Sequence, residues 1–146
     1  MTASTTPNSA GQTSRRIPCV LACSGCSPAG ALADRTARRL QELGLAQMSC
    51  LVGVGGRVKP ILATVQSAPG VMVIDGCPLE CGANSLRHAG ITSFIQFRLD
   101  EAGVRKRDSA VLENDSERVI AAAAQQLANA GFSSRRSEAL ALEQQA

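Results

Sequence analysis

Aromatic side chains are almost missing from this chain: it has no Trp, no Tyr and three Phe. Single-stranded nucleic-acid platforms stack bases on aromatic rings, so that class of protein is not expected. The only histidine is His88, which gives no support to a Ser-His-Asp arrangement. No apolar run approaches the roughly 20 residues of a membrane span, and no membrane partner is expected. Long blocks of one charge are missing too. The 15 basic and 12 acidic residues leave a net charge of +3. Nearly all the basic residues are arginines scattered over separate helix faces. That pattern reads as a solvated surface, and nucleic acid is not expected as a partner.

What is present suits one ordinary domain. The chain has 146 residues, 45% of them hydrophobic, so its core must be built from Val, Leu, Ile and Ala. Residues 1–16, MTASTTPNSAGQTSRR, are rich in Ser and Thr and read as a disordered N-terminal tail. The domain is expected over 17–131, with a C-terminal tail over 132–146. The stretch RRIPCVLAC imitates a lipoprotein cleavage box. Its apolar run from Ile17 to Ala22 contains Pro18 and falls short of the about 7–15 residues a signal core needs. A cytoplasmic protein with reduced cysteines is the expectation.

Patterning along the chain alternates strand and helix. Ile17 to Ala22 reads as a buried strand, and Ser27-Pro28 then caps and opens a helix. Leu32, Ala33, Thr36, Ala37, Leu40 and Leu43 share one face of it, and Gly44 ends it. Met48 to Val54 reads as a second strand, and Pro60 opens a short helix. Val71 to Ile74 is the third strand, with Pro78 in the first turn of a helix that ends near Gly90. Ile91 to Leu99 is the fourth strand. A last helix runs to Gly131, with Asp115 and Ser116 as its cap. This order predicts a single α/β domain, a mainly parallel four-stranded sheet with helices on both faces.

Such a sheet opens its strand-to-helix loops at one edge, where ligands sit outside the carboxyl ends of the strands. Cys23 and Cys26 fall in the first of these loops, Cys77 and Cys81 in the third. Cys50 is expected on the second strand, a few residues before its loop. Five of six cysteines therefore converge on the carboxyl edge, and Cys19 is left as a core residue. Four thiolates in a tetrahedron make a closed zinc site, and Cys23-x2-Cys26 has chelate spacing. Cys77 and Cys81 stand four apart, which on a helix places their Cβ atoms about 5–6 Å apart. From spacing alone the ligands are the two close pairs. Thiol redox chemistry and plain packing remain open beside metal binding.

Other residues support this rim. Asp75 is expected to accept backbone N–H bonds and hold the Gly76-Cys77 loop. Gly76 serves an awkward backbone angle or a close approach. Helix N-termini, with Arg57 and Lys59, would offset the charge of a metal thiolate. His88 lies about 10 Å along a helix from Cys81 and is placed at the helix C-terminus rather than on the metal. GVGGRVKP lacks the Gly-Lys-Ser/Thr ending of a P-loop. A low-molecular-weight phosphatase would need Arg where Ala29 stands.

Together CSG at Cys23, MSCLVGVGG over 48–56, IDGCPLECG over 74–82 and AGVRKR over 102–107 resemble the DGC-domain family of zinc-binding proteins, named after the Asp-Gly-Cys at 75–77. The resemblance implies a zinc site of four cysteines: Cys23, Cys50, Cys77 and Cys81. It thus prefers Cys50 where spacing preferred Cys26, and leaves Cys26 as a spare thiol or exchanging ligand. The expected function is a module holding zinc through thiolates from three strand-loop segments. An iron–sulfur cluster, or a reactive-thiol redox or sulfur-transfer protein, is the alternative. A catalytic zinc would need an open position and a proton shuttle. Glu80 is the nearest candidate for that shuttle, and whether the chain is an enzyme stays open.

Overall fold

A computed structural model of the protein describes residues 17–132. The expected tails, 1–16 and 132–146, lie outside the described residues, Phe132 apart. The elements in chain order are β1 (Cys19–Ala22), α1 (Pro28–Glu42), β2 (Gln47–Met48), α2 (Leu51–Gly55), α3 (Lys59–Ser67), β3 (Val71–Asp75), α4 (Cys81–His88), β4 (Ile95–Arg98), α5 (Val111–Asn114) and α6 (Ser116–Asn129). The four strands form one all-parallel sheet in the order β2-β1-β3-β4. This is the α/β architecture expected from the alternation.

Alternation along the strands sends side chains to two cores, one on each face. Val20, Ala22, Met72, Ile74 and Phe97 pack with Leu32, Ala33, Ala37 and Leu40 of α1 and with Val119, Ala123 and Leu127 of α6. Cys19, Leu21, Val71 and Val73 pack on the other side with Val54 of α2, Val65 of α3 and Ala83 and Leu86 of α4. β1 and β3 are buried along their whole length, as central strands covered on both faces must be. Their apolar side chains each contribute roughly 1.5–3 kcal/mol on leaving water.

The second strand is shorter than its apolar run predicted. β2 ends at Met48, and 51–55 turns into a helix. Cys50 takes the N-cap position of that helix, and its Sγ accepts the Gly53 N–H at 3.3 Å. A Cβ on Gly53 would stand 2.1 Å from Ile61 Cδ1, so the glycine lets α3 close onto α2. A short apolar run is compatible with either a strand or a buried helix, and here packing chose the helix.

Two helix starts also differ from expectation. Pro78 lies in a turn, and α4 begins only at Cys81. Asp115 holds the N-cap position of α6 but makes no side-chain capping bond; its carboxylate pairs with Arg118 at 2.6 Å instead.

Candidate functional site

In this strand order the chain leaves β1 and β3 in opposite directions, through α1 on one face and α4 on the other. A crevice therefore opens between the carboxyl ends of these two strands, the place where open parallel sheets bind ligands. The loops that follow β1 and β3 carry Cys23 and Cys26, and Cys77 and Cys81. Cys23 continues the ladder by donating its N–H to Ile74 O at 2.9 Å. Its Sγ accepts the Gly76 N–H at 3.1 Å, tying the two loops together across the crevice. Gly76 is needed there for close approach: a Cβ would meet the backbone of Ala29 and Gly30 at 2.9–3.0 Å.

Burial pushes the Cys23 thiol above its ordinary pKa. The Gly76 N–H opposes that shift, while the charges of Asp75, Cys77 and Cys81 reinforce it. Cys23 and Cys77 are half-buried, whereas Cys26, Cys50 and Cys81 are exposed. Among the described residues no group of three or more His, Cys, Asp or Glu side chains is assembled to hold a metal ion. Cys19 faces the core, where burial raises its pKa to about 11 against a smaller opposing hydrogen bond with Ser49.

Cys77 and Cys81 do not meet along a helix. Cys77 sits in the turn before α4, closed by Glu80 N–H to Cys77 O at 3.2 Å, and Cys81 is the first helical residue. Between them Glu80 adopts the left-handed region at φ 51°, a conformation a non-glycine residue holds only when its surroundings fix it. Its carboxylate is taken by Arg98 at 3.2 Å and Arg87 at 3.3 Å. Two guanidinium groups therefore engage the residue that sequence reading offered as a proton shuttle, which favours an anchoring role for it.

Asp75 lies beneath this turn, 1% exposed. Its Oδ1 accepts the Gly82 N–H at 2.7 Å, and its Oδ2 accepts Ala83 N–H at 3.1 Å and Gln96 Nε2 at 3.3 Å. The acid caps α4 from seven and eight residues upstream, satisfying amides that the helix itself leaves free. A short-range capping pattern could not reveal this, because the residue at the N-cap position is Glu80, which makes no capping bond.

Arg57, expected to offset charge at the thiols, reaches the other end of α4. Arg57 donates to His88 O, at the end of α4 opposite Cys81, and His88 ends that helix as foreseen. The loop after β4 comes instead to the start of α1, where Ala29 N–H donates to Lys106 O at 3.3 Å. Arg105, Lys106 and Arg107 thereby pass the first turn of α1. None of these three takes part in a salt bridge among the described residues.

Fold and thiol placement together define a cysteine-rich α/β module with its distinctive residues at the switch between β1 and β3. The DGC domain matches residues 19–126, and the chain belongs to the DGC domain family. It is also 38% identical over 105 residues to the anaerobic and virulence modulator AnvM of Pseudomonas aeruginosa, covering 71% of this chain and 80% of that protein. No solved structure matches it. Among the described residues no helix is long and apolar enough to cross a membrane.

Proposed function

We propose that this chain is a cytoplasmic metal-binding module that holds zinc through Cys23, Cys50, Cys77 and Cys81, with Cys26 as a spare thiol beside them. The observation that carries this reading is the contact between the two cysteine loops, in which Cys23 Sγ accepts the Gly76 N–H at 3.1 Å, one residue before Cys77. The donors fit zinc by chemistry, since four thiolates satisfy a tetrahedral site. They come from the ends of three adjacent strands, and because no three of them are grouped to hold a metal ion among the described residues, binding requires these loops to close on the ion. Cys50 and Cys81 are exposed and would turn inward on binding; Cys50 would give up its bond from Gly53 to do so. A bound zinc would supply a closed, redox-inert cross-link between the three loops. The start of α1 and the cations of the passing segment 105–107 would help to offset the net negative charge of such a shell.

The name of the Pseudomonas aeruginosa relative couples it to anaerobic life. That favours a second reading, in which the same thiols hold an iron–sulfur cluster or respond to oxidation. Elemental analysis with a visible spectrum on tag-free protein purified without oxygen separates the two. About one zinc per chain and no visible band supports the first reading. Iron with sulfide and absorption near 400 nm overturns it in favour of the second. Protein with neither metal leaves only the thiol-response version. Replacing Cys77 or Cys81 by Ser should sharply lower the metal content, and full retention would rule out the site.

A further inference from the structure

Among the exposed large apolar side chains of the described residues, the two most exposed are Val52 at 80% and Leu79 at 64%. Both follow strand ends. Val52 stands in the first turn of α2, after β2, and Leu79 in the turn that joins β3 to α4. The ends of β2 and β3 flank β1 and lie two strand spacings apart, about 10 Å. Single apolar residues on a surface are ordinary, but Leu79 is not left on a loose loop. Its carbonyl accepts a hydrogen bond from Asn84 Nδ2 at 3.2 Å, and the next residue, Glu80, is gripped by Arg98 and Arg87. The turn therefore holds an apolar residue out in water with its backbone already ordered. Ordering done beforehand lowers the cost of association.

The same edge of the sheet carries charge of one sign. Arg105, Lys106 and Arg107 belong to the segment after β4, which passes the first turn of α1 through the bond from Ala29 N–H to Lys106 O. Arg105 and Arg107 are exposed, and none of the three is in a salt bridge among the described residues. The acids of these loops are already engaged. Arg98 pairs with Glu80, Asp100 and Glu101, and Asp108 accepts the Ala110 N–H at 3.0 Å. The carboxyl edge thus offers apolar side chains from the loops after β2 and β3, and uncompensated cations where the β4 loop crosses α1.

We propose that this edge is a docking face for an acidic segment of a partner protein that also carries apolar side chains. Leu79 and Val52 meet the apolar side chains, and Arg105, Lys106 and Arg107 meet the carboxylates. Two chemistries side by side argue for this occupant over others. A nucleic acid would use the three cations and leave Leu79 and Val52 without a partner. A second copy docked about a two-fold axis would set the face against itself, cations against cations. An acidic, apolar segment satisfies both halves, and charge complementarity of this kind speeds encounter and suppresses wrong partners. The inference goes beyond the metal reading and does not depend on it, because none of these five residues is a thiol.

The test pans a displayed library of random dodecapeptides on the full-length protein and measures the most enriched peptides by fluorescence anisotropy. The same measurement is made on Leu79→Ser, on the Arg105→Glu, Arg107→Glu double variant and on an Arg38→Glu, Arg39→Glu control. All of these positions are exposed, and circular dichroism checks that each variant is folded. The control makes the same change of charge on α1, about 15 Å along the helix from its first turn. Peptides that combine Asp or Glu with Leu, Ile, Val or Phe should be enriched. Their affinity should fall at least about tenfold on the 105/107 variant, about three- to tenfold on Leu79→Ser, and less than about twofold on the control. Enrichment without an acidic bias, affinity unchanged in either face variant, or an equal loss on the control overturns the proposal. A short DNA duplex that binds more tightly than any selected peptide overturns it in favour of nucleic acid. Self-association in sedimentation velocity that the face variants abolish overturns it in favour of a second copy. Zinc content is read in none of these arms, so failure here leaves the metal reading standing.

Discussion

Oδ1 of Asp75 lies 2.7 Å from the backbone nitrogen of Gly82, seven residues along the chain. Between the two run both cysteines of the third loop, so this one bond closes the turn that presents them. It also explains the glycine at 82, because a Cβ there would stand 2.8 Å from Asp75 Oδ1 and 2.6 Å from Val73 Cγ2. The conformational freedom of glycine is not at issue here, since its φ is not among the positive ones. Space is.

Gly82→Ala should therefore destabilise the protein by about 1–3 kcal/mol, the ordinary cost of overpacking a tight interior. Thermal unfolding of the metal-free protein measures this. A midpoint within error of wild type would mean that the start of α4 shifts freely, and that the Asp75 clamp is loose.

Gly76→Ala and Gly25→Ala form a contrasting pair. A Cβ at Gly76 meets backbone atoms of Ala29 and Gly30 at 2.9–3.0 Å, while one at Gly25 meets nothing within 4 Å. Backbone cannot step aside as a side-chain tip can, so Gly76→Ala should cost at least about 2 kcal/mol. It should also part the β1 and β3 loops. Gly25→Ala should stay within about 0.5 kcal/mol of wild type. Denaturant titration of both variants checks this, and equal losses would contradict the close approach at Gly76.

Cys19 gives a pH prediction of definite sign. Burial raises its pKa from 9.0 to about 11, so the folded protein keeps its proton where the unfolded chain has lost it. The stability this protonated thiol provides is complete below about pH 9, where both states hold the proton, and declines as pH rises toward 11. The loss amounts to about 3 kcal/mol at 1.36 kcal/mol per pKa unit. Chemical unfolding of wild type and Cys19→Ala between pH 7 and 11 isolates it, because the variant should lack this component of the decline. Zinc content in Cys19→Ala should match wild type, since the thiol points into the core.

Much of this arrangement was legible in the chain itself. The apolar runs at β1 and β3 are covered on both faces, so burial alone marked them, and the strand-helix alternation carried the parallel sheet. Cys19 followed from its place early in a buried strand. Failures came where tertiary contact outweighed local pattern. Met48 to Val54 is apolar enough for a strand, yet Gly53 yields to Ile61 and the chain turns helical. The Cys77 to Cys81 spacing suggests one helical turn, but Glu80 breaks it by going left-handed between two arginines. Arg57 is near the thiols in sequence and at the far end of α4 in space. Lys106 is distant in sequence and lies beside α1. Such long-range pairings have no signature in composition or period.

The choice between Cys50 and Cys26 is the sharpest remaining prediction. Chelate spacing favours Cys26, three residues from Cys23; the resemblance to the family favours Cys50. Structure adds a reason that the two can be tested cleanly. Cys50 caps α2 through its sulfur, and serine is among the preferred N-cap residues. Cys50→Ser therefore preserves the cap and removes only the thiolate. Cys26 is exposed, one residue before the Ser27 cap of α1, so Cys26→Ser should not disturb the fold either. Both variants should unfold within about 0.5 kcal/mol of wild type, which leaves metal content as the discriminating signal. Cys50→Ser should lose most of its zinc after dialysis against a moderate chelator, and Cys26→Ser should retain it. The reverse result would move the fourth ligand into the β1 loop, with α2 and its cap reduced to a structural part. Loss in both would mean that both thiols are needed to hold the metal, and retention in both that either can serve as the fourth ligand, as a spare thiol beside a four-cysteine site allows.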